Sequence, residues 1–426
     1  STVYRGRTKI YAEADIDVRN LSLLALEESV GDLIVWIDRG EDHGLNYMSL
    51  RDGAISPVMI GDGPAGGAAT IIDPYTRTLV GVEYGGEWDQ QVFLVPELDA
   101  AQSAIEAAMP GKHVTITSWT ADRSKVTVAL EEAGRPADYY VYDSAAGTMG
   151  GLGSAGSHLV NRPVGNVISI SYEARDGLTV PGFVTLPPGK TQADGPFPLI
   201  VLPHGGPFLH DTASFDWWSG AYAEAGYAVL RPNYRGSTGS SPAHHFAGYG
   251  EYGGKMVDDV IDGAAWAVGQ GLANPGGYCI VGGSYGGYSA LMVAARDAAQ
   301  VKCAISVNGV TDPILRLADF TPKSDAYNEY EAMLGAGRFS DEASRVAIMP
   351  VRQVNTISAN TLVMHGREDT RVPFRQFTQM RSVAGNRPNF TFVEMEGEDH
   401  FLQSTYARTD VLKQTLAFLQ AHRPAQ

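Results

Sequence analysis

The sequence has only two cysteines, no apolar run long enough to span a membrane, and no cluster of lysine and arginine. Each shortage excludes something. Two cysteines cannot frame a disulfide-rich scaffold, and their spacing matches no metal-ligand pattern. Cys279 and Cys303 each sit in an apolar run that reads as a buried strand (YCIVGG and VKCAISV), so both are expected as buried reduced thiols. A bond between neighbouring parallel strands stays open but is geometrically awkward. Lys and Arg number 32 against 48 Asp and Glu, a net charge of −16. A binder of nucleic acid or of an anionic membrane needs clustered positive charge, so neither partner is expected. The opening STVYRGRTKIYAEADIDVRN is neither a signal peptide nor a start methionine. The compartment therefore stays open between cytoplasm and periplasm. Self-association into a homo-oligomer also stays open.

Charged residues make up 19% and apolar residues 44%, the balance of a soluble globular protein. A chain of 426 residues exceeds one ordinary domain, so two are expected, at 1–160 and 161–426. Residues 1 to 160 carry short alternating apolar runs, with little helical period. A weak repeat begins at Val35 (VWIDRGEDHGLNYMSLRDG), Val80 (VGVEYGGEWDQQVFLVPEL) and Val128 (VALEEAGRPADYYVYDSAAG). Each copy is a strand, a polar turn and a second strand. The spacing of roughly 45 residues is that of β-propeller blades. About three blades are visible, where closure takes about four to eight. Either further blades precede Ser1 or the repeat has another architecture.

The repeat stops near Gly151, and GGLGSAGSHLVNRPVGN reads as a linker. VISISYEARDGLTVPGFVTLPPG then reads as a hairpin. From Pro198 strands and helices alternate, ending in TLVMHG, a helix around Phe374 to Val383, FTFVEMEG and a last helix. Continuous apolar strands alternating with helices predict a mostly parallel sheet covered on both faces, the α/β class. Chemistry in such sheets lies at the carboxyl ends of the strands.

The strongest motif is Gly282-Gly283-Ser284-Tyr285-Gly286-Gly287-Tyr288, after the strand YCIV and before a helix. This is the strand–turn–helix setting of a G-x-S-x-G nucleophile elbow. It makes Ser284 a nucleophile and places the Tyr285 N–H at a helix N-terminus, where it can hold an oxyanion. A serine hydroxyl needs a base and an acid to orient that base. In the α/β-hydrolase order of Ser, acid, His, these are Asp369 after TLVMHG and His400 after FTFVEMEG. Glu368 and Asp399 read as turn residues, His422 as part of a terminal tail, and Asp312 as the rival acid. His204, in HGGP, marks the loop where hydrolases place a second oxyanion donor, and His365 reads as a hydrogen-bonded core residue.

HGGP at His204, NYRGSTG at Asn233, GGSYGGY at Gly282, HGREDTRVP at His365 and GEDH at Gly397 together resemble the prolyl oligopeptidase family of serine peptidases. The branch most resembled contains acylaminoacyl peptidases and bacterial dipeptidyl peptidases. The resemblance runs from about Asn166 to the C-terminus. It implies an α/β-hydrolase domain preceded by a β-propeller, here partial, and a triad of Ser284, Asp369 and His400. It also implies that the Tyr234 hydroxyl joins the Tyr285 N–H in the oxyanion hole. Short peptides are the implied substrates, and no cofactor or metal is required. A carboxylesterase acting on small esters is the alternative. A propeller on an inactive hydrolase, serving only as an interaction protein, is a third reading. The acidic pair that holds a substrate's free amine in dipeptidyl peptidases is not found in the blades present.

Other patterns carry less. Gly248-x-Gly250-x-x-Gly253 and Gly151-x-Gly153-x-x-Gly156 match a dinucleotide fingerprint, but neither opens a βαβ unit, so both read as loops. His244-His245 lacks further ligands. Trp217 and Trp218 read as helix core, with a substrate platform as the alternative.

Overall fold

The structure, a computed structural model, describes residues 2–5, 8–12, 21–27, 32–37, 44–60, 63–64, 69–159, 162–335 and 341–425. The chain divides into two compact units. One holds residues 1–132, 136–157 and 239–242, and the other 133–135, 158–238 and 243–426. Among the described residues no helix is long and apolar enough to cross a membrane.

The first unit is built mostly of antiparallel strands. All three expected strand pairs form: Leu33–Ile37 with Gly44–Met48, Thr78–Tyr84 with Gln90–Phe93, and Lys125–Glu131 with Asp138–Asp143. The turn of the first pair lies outside the described residues. The third pair belongs to a regular four-stranded meander that also contains His113–Trp119 and Thr148–Ser154. The first two pairs share a seven-stranded sheet, in which Thr78–Tyr84 runs parallel to Leu21–Glu27.

Two details depart from the sequence reading. The Gly-rich stretch read as a linker continues the meander as strand Thr148–Ser154, with Gly151 and Gly153 in the ladder rather than in a loop. Its partner Asp138–Asp143 sets Tyr139, Tyr140 and Val141 opposite Gly153, Gly151 and Gly150, and the glycines need only their backbone to pair with it. The second departure is a helix, Pro96–Ala108, where little helical period was expected. Pro96 opens it, and Glu97 and Asp99 lie in its positive first turn. Its buried stripe is narrow, only Leu98, Ala101 and Ile105, so its period is faint in sequence. These three join Val80, Phe93, Val114, Ile116 and Val128 in one core.

The second unit centres on an eight-stranded sheet. In chain order its strands are β1 (Asn166–Glu173), β2 (Thr179–Leu186), β3 (Leu199–Val201), β4 (Ala228–Pro232), β5 (Tyr278–Gly283), β6 (Val301–Val307), β7 (Asn360–Gly366) and β8 (Phe390–Met395). In space they run β1-β2-β4-β3-β5-β6-β7-β8. The hairpin β1–β2 is antiparallel, as is β2 against β4, and all other pairs are parallel. Helices α1 (Trp217–Glu224), α2 (Lys255–Gly269), α3 (Tyr285–Arg296), α4 (Arg375–Ala384) and α5 (Thr405–His422) cover the sheet. Alternation along the strands separates two cores. Leu199 and Val201 face the core that α2, α3 and α4 share, while Ile200, Cys279 and Val281 face the one that α1 and α5 share. This is an α/β-hydrolase sheet, preceded along the chain by a β region.

Cys279 and Cys303 are not the reduced thiols expected. They form a disulfide between β5 and β6. The parallel register sets them directly opposite each other, with Cα atoms 4.7 Å apart, inside the range a disulfide spans. Both are fully buried.

Candidate active site

β5 ends at Gly283, and the chain turns at once into α3 through Ser284. Ser284 has φ 56° and ψ −119°, a conformation that a non-glycine residue holds only where its surroundings impose it. Two close approaches fix the turn. A Cβ on Gly282 would collide with the backbone of Gly286, and one on Gly286 with the Pro203 carbonyl oxygen. The Ser284 N–H donates to the Val307 carbonyl at 3.0 Å, tying the elbow to β6. Tyr285 begins α3, so its N–H sits at the positive end of a twelve-residue helix.

β7 and β8 end in the loops that carry Asp369 and His400. His400 Nδ1 lies 2.7 Å from Asp369 Oδ2. Asp369 Oδ1 accepts the N–H groups of Arg371 and Val372, each at 2.8 Å. Burial alone would raise the Asp369 pKa. Hydrogen bonds from His365 and His400, the His400 charge and the Val372 N–H outweigh it and lower the value to about 2. The carboxylate is therefore charged, His400 Nδ1 carries the proton that faces it, and Nε2 is left as the basic nitrogen. His365 is fully buried. Its Nε2 donates to the Val372 carbonyl at 2.8 Å and lies 3.4 Å from Asp369 Oδ2.

The rival carboxylates have other work. Asp312 caps the helix Pro313–Leu317 through Leu315 N–H at 2.9 Å and accepts Gln379 Nε2 at 3.1 Å. Asp399 accepts the N–H groups of Phe401 and Leu402, a turn just after the histidine's position is set. Glu368 is exposed. His422 ends α5.

Sequence reasoning missed Asn308, the residue after β6. Its Nδ2 donates to the carbonyls of Asp399 and His400 at 3.2 and 3.1 Å, and its Oδ1 accepts the Gly366 N–H at 2.8 Å. It thereby ties the His400 loop to β7. Its φ is 51°, in the left-handed region that asparagine tolerates best after glycine. An Asn-Gly pair at the carboxyl end of a parallel strand was the available signal.

The loop after β3 stands against the elbow. A Cβ on Gly205 would lie 3.4 Å from that of Ser284. Among the described residues neither the Gly205 nor the Tyr285 N–H has a hydrogen-bond acceptor. The Tyr234 hydroxyl, expected in the oxyanion hole, bonds to the backbone of the adjoining loop. The hydroxyl donates to the His204 carbonyl at 2.8 Å, the side chain is fully buried, and it does not line the cavity above Ser284. Burial pushes the phenol pKa well above its ordinary value, so it stays protonated. The His204 ring stacks on Tyr234 and is held between the Gly205 carbonyl and the Ser237 hydroxyl, each at 2.8 Å. Burial lowers its pKa to about 4, which keeps the imidazole neutral. The two rings brace the glycine loop.

Ser284, Tyr285, Gly205 and His400 open onto one cavity of about 780 Å³. Trp217 and Trp218, read as helix core, line it as well, from the first turn of α1. Asp216 caps that turn by accepting the Ser219 N–H at 2.6 Å, and this holds the two indoles at the cavity wall. Among the described residues no group of His, Cys, Asp and Glu could hold a metal ion. His244 and His245 instead hydrogen-bond backbone carbonyls, at Asn233 and Gly236.

Known proteins are similar to this chain in sequence and fold. The chain is 30% identical over 351 residues to dipeptidyl aminopeptidase BIII of Pseudoxanthomonas mexicana, covering 80% of this chain and 51% of that protein. It is 24% identical over 244 residues to the human (Homo sapiens) acylamino-acid-releasing enzyme, 55% of this chain and 32% of that one. The chain thus spans about half the length, or less, of the curated relatives it matches. A puromycin-hydrolysing peptidase of Mycobacterium tuberculosis shares the fold with TM-score 0.75 at 21% identity, over 94% of this chain and 61% of that chain. Pyrococcus horikoshii acylaminoacyl peptidase does so with TM-score 0.69 at 19% identity, over 94% and 63%. The profile of the prolyl oligopeptidase family matches residues 213–424, a stretch that holds the elbow serine and the aspartate–histidine pair, and the chain belongs to that family.

Proposed function

We propose that this chain is a serine peptidase that hydrolyses short peptides through an acyl-enzyme on Ser284. The observation that carries the reading is the wall shared by Ser284 and His400, with His400 bonded to a charged Asp369 at 2.7 Å. His400 Nε2 takes the Ser284 proton as Oγ attacks the substrate carbonyl. Asp369 holds the imidazole in the right tautomer and stabilises the imidazolium. The oxyanion is held by the Tyr285 N–H and, in place of the Tyr234 hydroxyl, by the Gly205 N–H. Collapse of the tetrahedral adduct breaks the C–N bond, and His400 returns the proton to the leaving amine. Water then repeats the sequence on the ester. We assign residues 161–426 to this catalytic domain and 1–160 to the propeller portion.

The test is labelling by a fluorophosphonate together with turnover of a short peptide amide. Ser284→Ala should remove both and keep the fold by circular dichroism. Full labelling of that variant would overturn the assignment. A carboxylesterase is the second reading, and it is favoured by the commitment of the Tyr234 hydroxyl to His204, since a glycine-loop donor also serves ester hydrolysis. Turnover of aryl esters without turnover of any peptide amide would select it.

A further inference from the structure

Two unlike groups of residues line the cavity, one around His400 and one around the Tyr285 ring. Around His400, Phe401 stands edge-on to the imidazole, 5.4 Å between ring centroids, and Trp217 and Trp218 line the same cavity. The leaving amine must take its proton from His400, so the leaving part of a substrate lies against this group. The acyl side chain then lies against the other group, next to the Tyr285 ring.

That group consists of Phe208, Tyr252, Arg316, Phe320, Tyr330 and Met333. Phe320, Tyr330 and Tyr252 form a continuous aromatic wall, with centroid spacings of 5.4 and 5.8 Å. Tyr252 reaches back to Tyr285 at 4.7 Å. Two polar groups interrupt this wall. The Tyr330 hydroxyl donates to the Tyr252 hydroxyl at 3.3 Å, and the Tyr252 proton has no acceptor among the described residues. The Arg316 guanidinium lies over Phe320 at 4.1 Å and near Tyr330 at 6.0 Å. It meets Asp319 at 3.3 Å through one nitrogen, with side-chain exposure of only 14%. The pocket therefore offers apolar walls and hydrogen-bond donors, and a fixed positive charge that Asp319, shared with Arg375, balances only in part.

We infer that Tyr252 and Arg316 set the acyl-side specificity, selecting an aromatic residue with a neutral oxygen at its tip, of the tyrosine kind, and rejecting lysine and arginine. This rests on the serine hydrolase reading above. A tyrosine ring fills the aromatic wall and its oxygen meets the free Tyr252 proton, whereas phenylalanine leaves that donor unpaired. A lysine ammonium would be driven against a half-buried guanidinium. Asp319 is shared with Arg375 and balances that guanidinium only in part, so a carboxylate gains from the remaining charge but loses its water among aromatic walls, a cost that a neutral acceptor avoids. Glu329 also lines the cavity, but it is exposed, and solvent screens its pull on a cation.

The experiment uses N-acyl dipeptide amides with one fluorogenic leaving group and Tyr, Phe or Lys before the scissile bond. Wild type should turn over Tyr several-fold better than Phe, and Lys at least ~100-fold worse than Tyr, by kcat/KM. Tyr252→Phe should bring the Tyr/Phe ratio to about 1 and leave Lys/Phe unchanged. Arg316→Met should raise Lys/Phe by roughly tenfold, while Arg316→Lys should keep it low. Ratios that no variant moves would overturn the inference. So would a wild-type preference for Lys that Glu329→Gln abolishes. Fluorophosphonate labelling separates the two layers. If wild type is labelled, the serine hydrolase reading stands and the ratios judge the pocket. If it is not, that reading fails. The pocket is then judged by binding, with N-acetyl-tyrosinamide expected to bind more tightly than N-acetyl-lysinamide and equal binding overturning the inference.

Discussion

The two units bury their strands by different rules. In the first, Lys125–Glu131 alternates exposed and buried positions at its start, as a strand with one wet face must. In the second, β4, β5 and β7 are buried at nearly every position, because helices cover both faces. Alternation tells which face of a strand is inward, but it does not say which strand lies beside it. That is why three hairpins were readable and the joining of two of them in one seven-stranded sheet was not. In the parallel sheet the strand ends carry the residues of the proposed chemistry. There the residue types are those that the proposed nucleophile, base and acid require.

The largest effect that separates the units comes from Asp369. Asp369→Asn leaves the shape but reverses the donor role at Oδ2, so His400 would turn to the wrong tautomer. Turnover of a peptide amide should fall by about 10⁴, as such a change does in a comparable triad. A loss below about tenfold would show that another carboxylate orients the base. Asp312 would not be that carboxylate, since its two oxygens hold Leu315 N–H and Gln379 Nε2.

What the sequence made legible follows from the same contrast. The elbow was readable because the close approaches at Gly282 and Gly286 admit no side chain. Asp369 and His400 were readable because chain order and strand ends leave few candidates. Directions of side chains were not readable. Tyr234 stands at the end of β4, within reach of the glycine loop, but the sequence could not say whether its hydroxyl faces the cavity or the His204 carbonyl. The disulfide was hidden for a related reason. Two buried cysteines on adjacent strands bond only if the register sets them opposite, and register across parallel strands joined by a helix leaves no local mark. The helix Pro96–Ala108 was hidden because three buried positions make a weak period.

A smaller effect is expected at Tyr234. Tyr234→Phe keeps the stack on His204 and removes the hydroxyl's contacts with the His204 carbonyl, which precedes Gly205, and with His204 Nδ1. As a brace, it should lower the turnover number by about threefold to tenfold, with the Michaelis constant little changed. Loss of a direct oxyanion donor costs roughly 10²–10³. A drop of that size would return the hydroxyl to the oxyanion and remove Gly205 from the role proposed here.

The smallest catalytic effect should come from the first unit, where the stability effect is large. Asp73 is buried, with Oδ2 held by Arg123 Nη2 at 2.8 Å and Nε at 3.2 Å, and with Trp119 Nε1 at 3.4 Å. Burial raises its pKa, but the Arg123 hydrogen bonds and the Tyr75 and Thr76 N–H groups prevail and hold it below the ordinary value. Its carboxylate therefore contributes stability above that ordinary value, and the contribution is lost as pH falls through the lowered one. Asp73→Asn should leave Arg123 buried without its main counter-charge and destabilise the unit by about 3–5 kcal/mol. It should also remove part of the acid sensitivity of unfolding. Trp119 touches the carboxylate, so tryptophan fluorescence in urea should show the first unit unfolding earlier. Among the described residues the cavity is lined by those of the second unit alone, so aryl ester turnover by the folded variant should stay within about twofold of wild type. A tenfold loss of turnover at unchanged labelling would mean that the β region tunes the chemistry itself, and the contrast between a unit built for burial and a unit built for reaction would fail.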